Sequence, residues 1–107
     1  MNANATHSST RHTIGADHPM LPGHFPGHPV VPGAYLLAWV VKEANAWLAA
    51  QGDARTVAGV ARAKFLRPLQ PEQTFHCAWM PGESLRFALA TDEATIASGT
   101  LLLKPAP

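Results

Sequence analysis

Cysteine is almost absent from this chain. Cys77 stands alone, which excludes a disulfide framework and any cysteine-based metal site. Charge is scarce as well: Asp, Glu, Lys and Arg make up 14% of the 107 residues, and the formal net charge is +1 with His neutral. Such a balance lacks the clustered basic face that a nucleic-acid footprint requires. No apolar run is long enough to cross a bilayer, which takes about 20 residues. The longest such run occupies 34–41. The polar start, 1–13, has no apolar h-region and does not read as a signal peptide. The expectation is a cytoplasmic protein with no membrane and no nucleic-acid partner.

Apolar residues, by contrast, are plentiful at 47%, enough to predict a packed core everywhere except the ends. The length suits one domain. The boundaries expected are a disordered tail over 1–8, a single domain over 9–104 and a short tail over 105–107. A chain this small exposes much of its surface when alone. Sparse charge with high apolar content therefore points to burial of some surface by oligomerisation.

Pro and Gly are concentrated between 15 and 33, where regular helix or central strand is ruled out. A connection that long usually marks a functional loop. Pro32 suits a first helical turn. A helix is predicted from Gly33 to about Ala50, with Leu36, Val40, Ala44 and Trp47 on one stripe and Leu37, Val41 and Leu48 widening it. Its first half is apolar on nearly every side, which predicts a buried helix. Lys42, Glu43 and Asn45 mark its emergence into solvent, and Gly52 is the expected C′ residue. Before the loop, 9–14 reads as a short edge strand. After the helix, 56–66, 73–80, 84–90 and 95–104 read as strands, with turns at 81–83 and 91–94. One apolar helix with only an antiparallel sheet to pack on predicts an α+β fold, the sheet wrapped around one long central helix. Tyr35, Leu36, Trp39 and Trp47 are expected in the core or a dimer interface, and Cys77 as a small buried residue.

The stretch richest in chemistry is His24-Phe25-Pro26-Gly27-His28-Pro29-Val30-Val31-Pro32-Gly33. A histidine opens a rigid loop that ends at a helix start, whose free backbone N–H groups can hold an oxygen or an anion. This string, with the following helix and Ala63-Lys64-Phe65-Leu66-Arg67-Pro68, resembles the hot-dog-fold β-hydroxyacyl-acyl carrier protein dehydratases. Asp17-His18-Pro19 and Trp39 are more similar to the short stand-alone branch, which includes dehydratases of aryl-polyene pathways. The resemblance implies a single hot-dog domain, at least dimeric, with joined sheets and helices side by side. It implies His24 as the base that removes the α-proton of a 3-hydroxyacyl thioester, and the Gly33 N–H as donor to the thioester oxygen as enolate charge develops. The activity implied is that of a hydro-lyase in fatty acid or polyene biosynthesis. Its substrate would ride on the phosphopantetheine of an acyl carrier protein, without a dissociable cofactor or metal, the acyl chain lying in an apolar tunnel beside Phe25, Ala34 and Ala38.

The family pattern also calls for a carboxylic acid fourteen residues after the histidine, to protonate the departing hydroxyl. That position is Ala38. Loss of a general acid typically costs about 10²–10⁴-fold in rate. Four readings accommodate the alanine. A related hot-dog subunit in a heterodimer supplies the acid. A surrogate supplies it, with Tyr35, His28 and Asp17 as auxiliary candidates, or His24 itself working twice. Or the chain is a non-catalytic acyl-thioester or carrier-binding subunit, or a thioesterase that needs no such acid. His18, His24 and His28 invite a metal reading, but no cysteine or second carboxylate joins them at tight spacing, so none is expected. Arg62, Lys64 and Arg67 nearly alternate along one strand. They read either as a solvated face or, from the family position, as a docking surface for an acidic carrier protein.

Overall fold

The computed structural model describes residues 8–13, 31, 33–70 and 72–105. One helix, α1 (Gly33–Ala50), lies against five strands: β1 (Ser8–His12), β2 (Thr56–Phe65), β3 (Phe75–Pro81), β4 (Leu85–Ala90) and β5 (Thr95–Lys104). Every pairing is antiparallel, in the order β1-β3-β4-β5-β2. This is the expected helix-on-sheet hot-dog arrangement. β1 begins at Ser8, one residue before the expected strand. β3 starts at Phe75 rather than 73, because Gln73 closes a turn, its N–H bonded to the Gln70 carbonyl.

Why α1 stops where it does is clear from its last turn. Gly52 sits at φ 79°, where an L side chain is strained. The N–H of Asp53 reaches the carbonyl of Leu48, which the Gln51 N–H also reaches, and that of Gly52 reaches Ala49, so the carbonyls of the last turn find partners. The Asp53 carboxylate then takes hydrogen bonds from the Arg55 side chain and backbone, which hold its pKa down to about 2. A further bond from Arg55 to the Gly82 carbonyl, 2.8 Å long, ties this corner to the β3–β4 turn.

The core forms between one row of α1 and one face of the sheet. Leu36, Val40, Ala44 and Leu48 are buried against Phe75, Cys77 and Trp79 of β3, Leu85, Phe87 and Leu89 of β4, and Ala97 and Leu101 of β5. Each fully buried large apolar side chain here contributes roughly 1.5–3 kcal/mol. Leu48 belongs to the central row and Trp47 flanks it, stacked on Trp79 at 6.1 Å. A period of four, not the i+11 step to Trp47, sets the buried stripe. The opposite row of α1, Ala34, Ala38, Lys42 and Ala46, is exposed in the single chain. Alanine counts as apolar wherever it stands, so an exposed alanine row makes the helix read as apolar on nearly every side.

Asn45 does not simply meet solvent. Its side-chain carbonyl accepts the Val57 N–H at 2.8 Å, beside a register shift between Val57 and Gly59. The bond fastens α1 to β2. Asn45→Ala is therefore expected to destabilise the fold by about 1–3 kcal/mol by stranding that N–H, measured by urea unfolding. A loss below a few tenths of that would mean water replaces the amide.

Candidate functional site

The helix start is held by stitches on either side of it. Val31, immediately before Pro32-Gly33, donates its N–H to the Leu69 carbonyl at 2.8 Å. The Leu66 and Arg67 N–H groups both reach the Ile96 carbonyl. The segment after β2 is thereby pinned across the mouth of α1. Between them lies a cleft of about 230 Å³, lined by Gly33, Leu36, Phe65, Leu66 and Arg67 among others. Phe65 covers Gly33, and a Cβ built there would sit 3.5 Å from the ring, an ordinary contact. The glycine is thus not demanded by packing. No acidic residue stands in the first turn of α1, so nothing there neutralises the positive end of the helix dipole.

The candidate residues separate into three groups. Gly33 lies at the cleft, with Ala34 exposed and Tyr35 half-buried beside it on the first turn. Ala38 lies one turn further on the exposed row, turned away from the sheet. His24, His28, Asp17 and Phe25 lie outside the described residues. The three basic residues do not share one face. Arg67 is beyond the end of β2 and borders the cleft. Arg62 and Lys64 point from β2 into a depression on the other side of the sheet, with Arg86. Chain order alone makes the three look like one stripe; the end of β2 at Phe65 divides them.

Sequence reasoning missed two features. Phe65 and Leu66, 49% and 51% exposed, line the cleft although both fall within the expected strand 56–66. The signal was their place directly before Pro68, where the strand must end. The second is an aromatic corner at β1. The His12 ring meets Trp39 edge-on at 4.5 Å and Phe75 at 5.6 Å, with Trp39 and Phe75 5.2 Å apart. Burial lowers the His12 pKa, and the charge of Glu43 partly opposes it. Burial, with the same carboxylate, pushes the Cys77 thiol up. Glu43 therefore acts on the β1–β3 corner of the sheet. Cys77 is fully buried and, as expected, serves as a small core residue.

Among the described residues no helix is long and apolar enough to cross a membrane. The chain resembles a 3-hydroxyacyl-[acyl-carrier-protein] dehydratase FabZ of Thermus thermophilus, 39% identical over 74 residues, which are 64% of this chain and 50% of the relative. It also resembles that of Syntrophomonas wolfei, 34% identical over 97 residues, covering 82% of this chain and 55% of the relative. It thus spans about half the length of the curated relatives it matches. The fold matches the dehydratase heterocomplex ApeI:P from Xenorhabdus doucetiae with a TM-score of 0.77 at 24% identity, over 96% of this chain and 91% of that one. The model of the ApeI-like family, ApeI dehydratase, matches residues 1–100. This chain, with its helix start opening on an apolar cleft beneath an antiparallel sheet, belongs to the ApeI-like dehydratase family of hot-dog proteins.

Proposed function

We propose that this chain acts on a 3-hydroxyacyl thioester carried by an acyl carrier protein, as one subunit of a dehydratase whose acid comes from a related hot-dog subunit. The observation that carries this reading is the pairing of a helix terminus at Gly33 that lines a cleft and has no acidic residue in its first turn with an exposed alanine row at Ala34 and Ala38. A helix start suited to polarising a thioester supports this reading, and Ala38 stands where the resemblance expects the acid. The family supports the chemistry, and a solved protein of the same fold is described as a heterocomplex.

In this reading His24 takes the α-proton. The electron pair left behind becomes the Cα–Cβ double bond as the Cβ–O bond breaks. The Gly33 N–H stabilises the thioester oxygen while it carries enolate charge. Hydroxide leaves as water only with a proton, delivered by the acid of the neighbouring subunit's helix facing the Ala38 row. β2 supplies the means of joining: it is an outer strand of the sheet, with Val60 and Phe65 exposed along it, and an open edge seeks a partner strand. Arg67, bordering the cleft, is the first contact proposed for an acidic carrier protein. The acyl chain would lie along Leu36 and Phe65, with no dissociable cofactor.

The test is hydration of a short trans-2-enoyl thioester, the reverse reaction, followed by loss of enone absorbance. The purified chain alone should be slow. His24→Ala should remove the residual turnover, and in an Ala38→Glu background should lower it by about 10²–10⁴-fold. Turnover indifferent to His24 in both backgrounds would defeat the reading. Release of free thiol, which dehydration does not produce, would identify a thioesterase instead.

A further inference from the structure

The depression on the sheet face turned away from α1 has a charge arrangement that the dehydratase reading does not use. In the ladder, Arg62 of β2 pairs with Thr100 of β5, and Thr100 pairs with Arg86 of β4. Two arginines therefore flank one threonine across three adjacent strands, roughly 9–10 Å apart at the backbone. One step along, Lys64 pairs with Ser98. These five side chains line a single recess of about 420 Å³. Arg62, Lys64 and Arg86 are all exposed. The ion pairs among the described residues, Asp53–Arg55 and His76–Asp92, involve none of the three. Three cations grouped around two hydroxyls, with no described carboxylate between them, favour an anion.

We propose that this recess binds a phosphate-bearing small molecule, with one phosphate seated over Thr100 between Arg62 and Arg86 and a second anionic group received by Lys64 and Ser98. Guanidinium groups present paired N–H donors that match phosphate oxygens two at a time, and a pair approaching from opposite sides can hold several of them. The Thr100 and Ser98 hydroxyls donate from the floor. The volume lies in the range of small-molecule sites rather than protein footprints. The recess opens on the face opposite the Gly33 cleft, so its occupancy neither requires nor blocks a thioester there, and the proposal stands or falls separately from the dehydratase reading.

The probes are inorganic pyrophosphate and adenosine 3′,5′-bisphosphate, titrated at constant ionic strength into the uniformly ¹⁵N-labelled chain. Saturable shifts are expected at the Ser98, Gly99 and Thr100 amides. Arg86→Gln, at an exposed position, should weaken binding at least tenfold, while Lys42→Gln on the far side of the molecule should not. Stronger binding of the nucleotide would identify a nucleotide ligand. Equal binding would mean that the phosphates alone carry recognition. The proposal is overturned by shifts that do not saturate, by affinity unchanged in Arg86→Gln, or by amides that answer only to an acidic protein, which would make the recess a protein-docking surface.

Discussion

Ala38→Glu is expected to raise enoyl-thioester hydration by the chain alone by about 10²–10⁴-fold, the usual worth of a general acid. The structure makes this experiment readable. Ala38 is exposed on the row of α1 turned away from the sheet, so a longer side chain displaces nothing in the core of the single chain. The helix-propensity cost of the exchange is under ~0.7 kcal/mol. A carboxylate there stands one turn before Lys42, a favourable spacing that returns roughly 0.2–0.5 kcal/mol. Stability should therefore stay nearly level, and a change in rate reports chemistry. Ala38→Gln is the control: similar in shape, unable to give up a proton, and expected to gain nothing. An equal gain in Ala38→Gln would show that the new side chain acts by packing at an interface. No gain in Ala38→Glu, alongside His24-dependent turnover in the wild type, would mean that the acid already resides elsewhere, and Tyr35, His28 and Asp17 would be substituted next.

Gly99→Ala should be the most damaging single methyl in the sheet. Gly99 lies in the middle of β5, paired with Ala63 on one side and Phe87 on the other. A Cβ built on it falls on the backbone carbonyl oxygen of Arg62 and 2.8 Å from two ring carbons of Phe87. Neither can withdraw easily. The Arg62 carbonyl is placed by the register shift between Val60 and Arg62, and Phe87 is 2% exposed. Overpacking of this kind costs about 3 kcal/mol, which in a domain of this size lowers the melting temperature by on the order of 10–20 °C. Gly59→Ala is the matched control, since a Cβ there meets nothing within 4 Å. It should change stability by only a few tenths of a kcal/mol up to about 1, through the unfolded chain. Both are read by thermal unfolding at one fixed protein concentration, because any association shifts the midpoint. If the two glycines lost equal stability, the crowding at Gly99 would not exist in solution.

The helix was readable almost to the residue because its signals are local. Apolar residues four apart and a glycine past the last turn depend only on near neighbours, and α1 indeed runs Gly33–Ala50 with Gly52 in the left-handed conformation. The alternation of Phe75, Cys77 and Trp79, and of Leu85, Phe87 and Leu89, likewise announced which side chains face the helix. The loop motif, with the following helix and the segment 63–68, carries the family likeness through fixed Pro and Gly positions. The role of Asn45 is not legible in the sequence, because a polar residue at a helix flank has the same pattern whether it meets water or a strand's N–H.

By itself, then, the sequence determined the elements, the core faces of β3 and β4, the likeness to dehydratases and the alanine at 38 where that likeness expects an acid. Only the tertiary structure decided which strands are neighbours. β2 follows the helix in the chain yet lies at the far edge of the sheet against β5, and that one non-local pairing sets Arg62 opposite Thr100 and Arg86, leaves Arg67 at the cleft, and closes the Arg62 carbonyl over Gly99. Periodicity along a strand says which face a residue takes. It carries no information about register, because register is settled by side-chain packing and backbone hydrogen bonds between segments far apart in the chain.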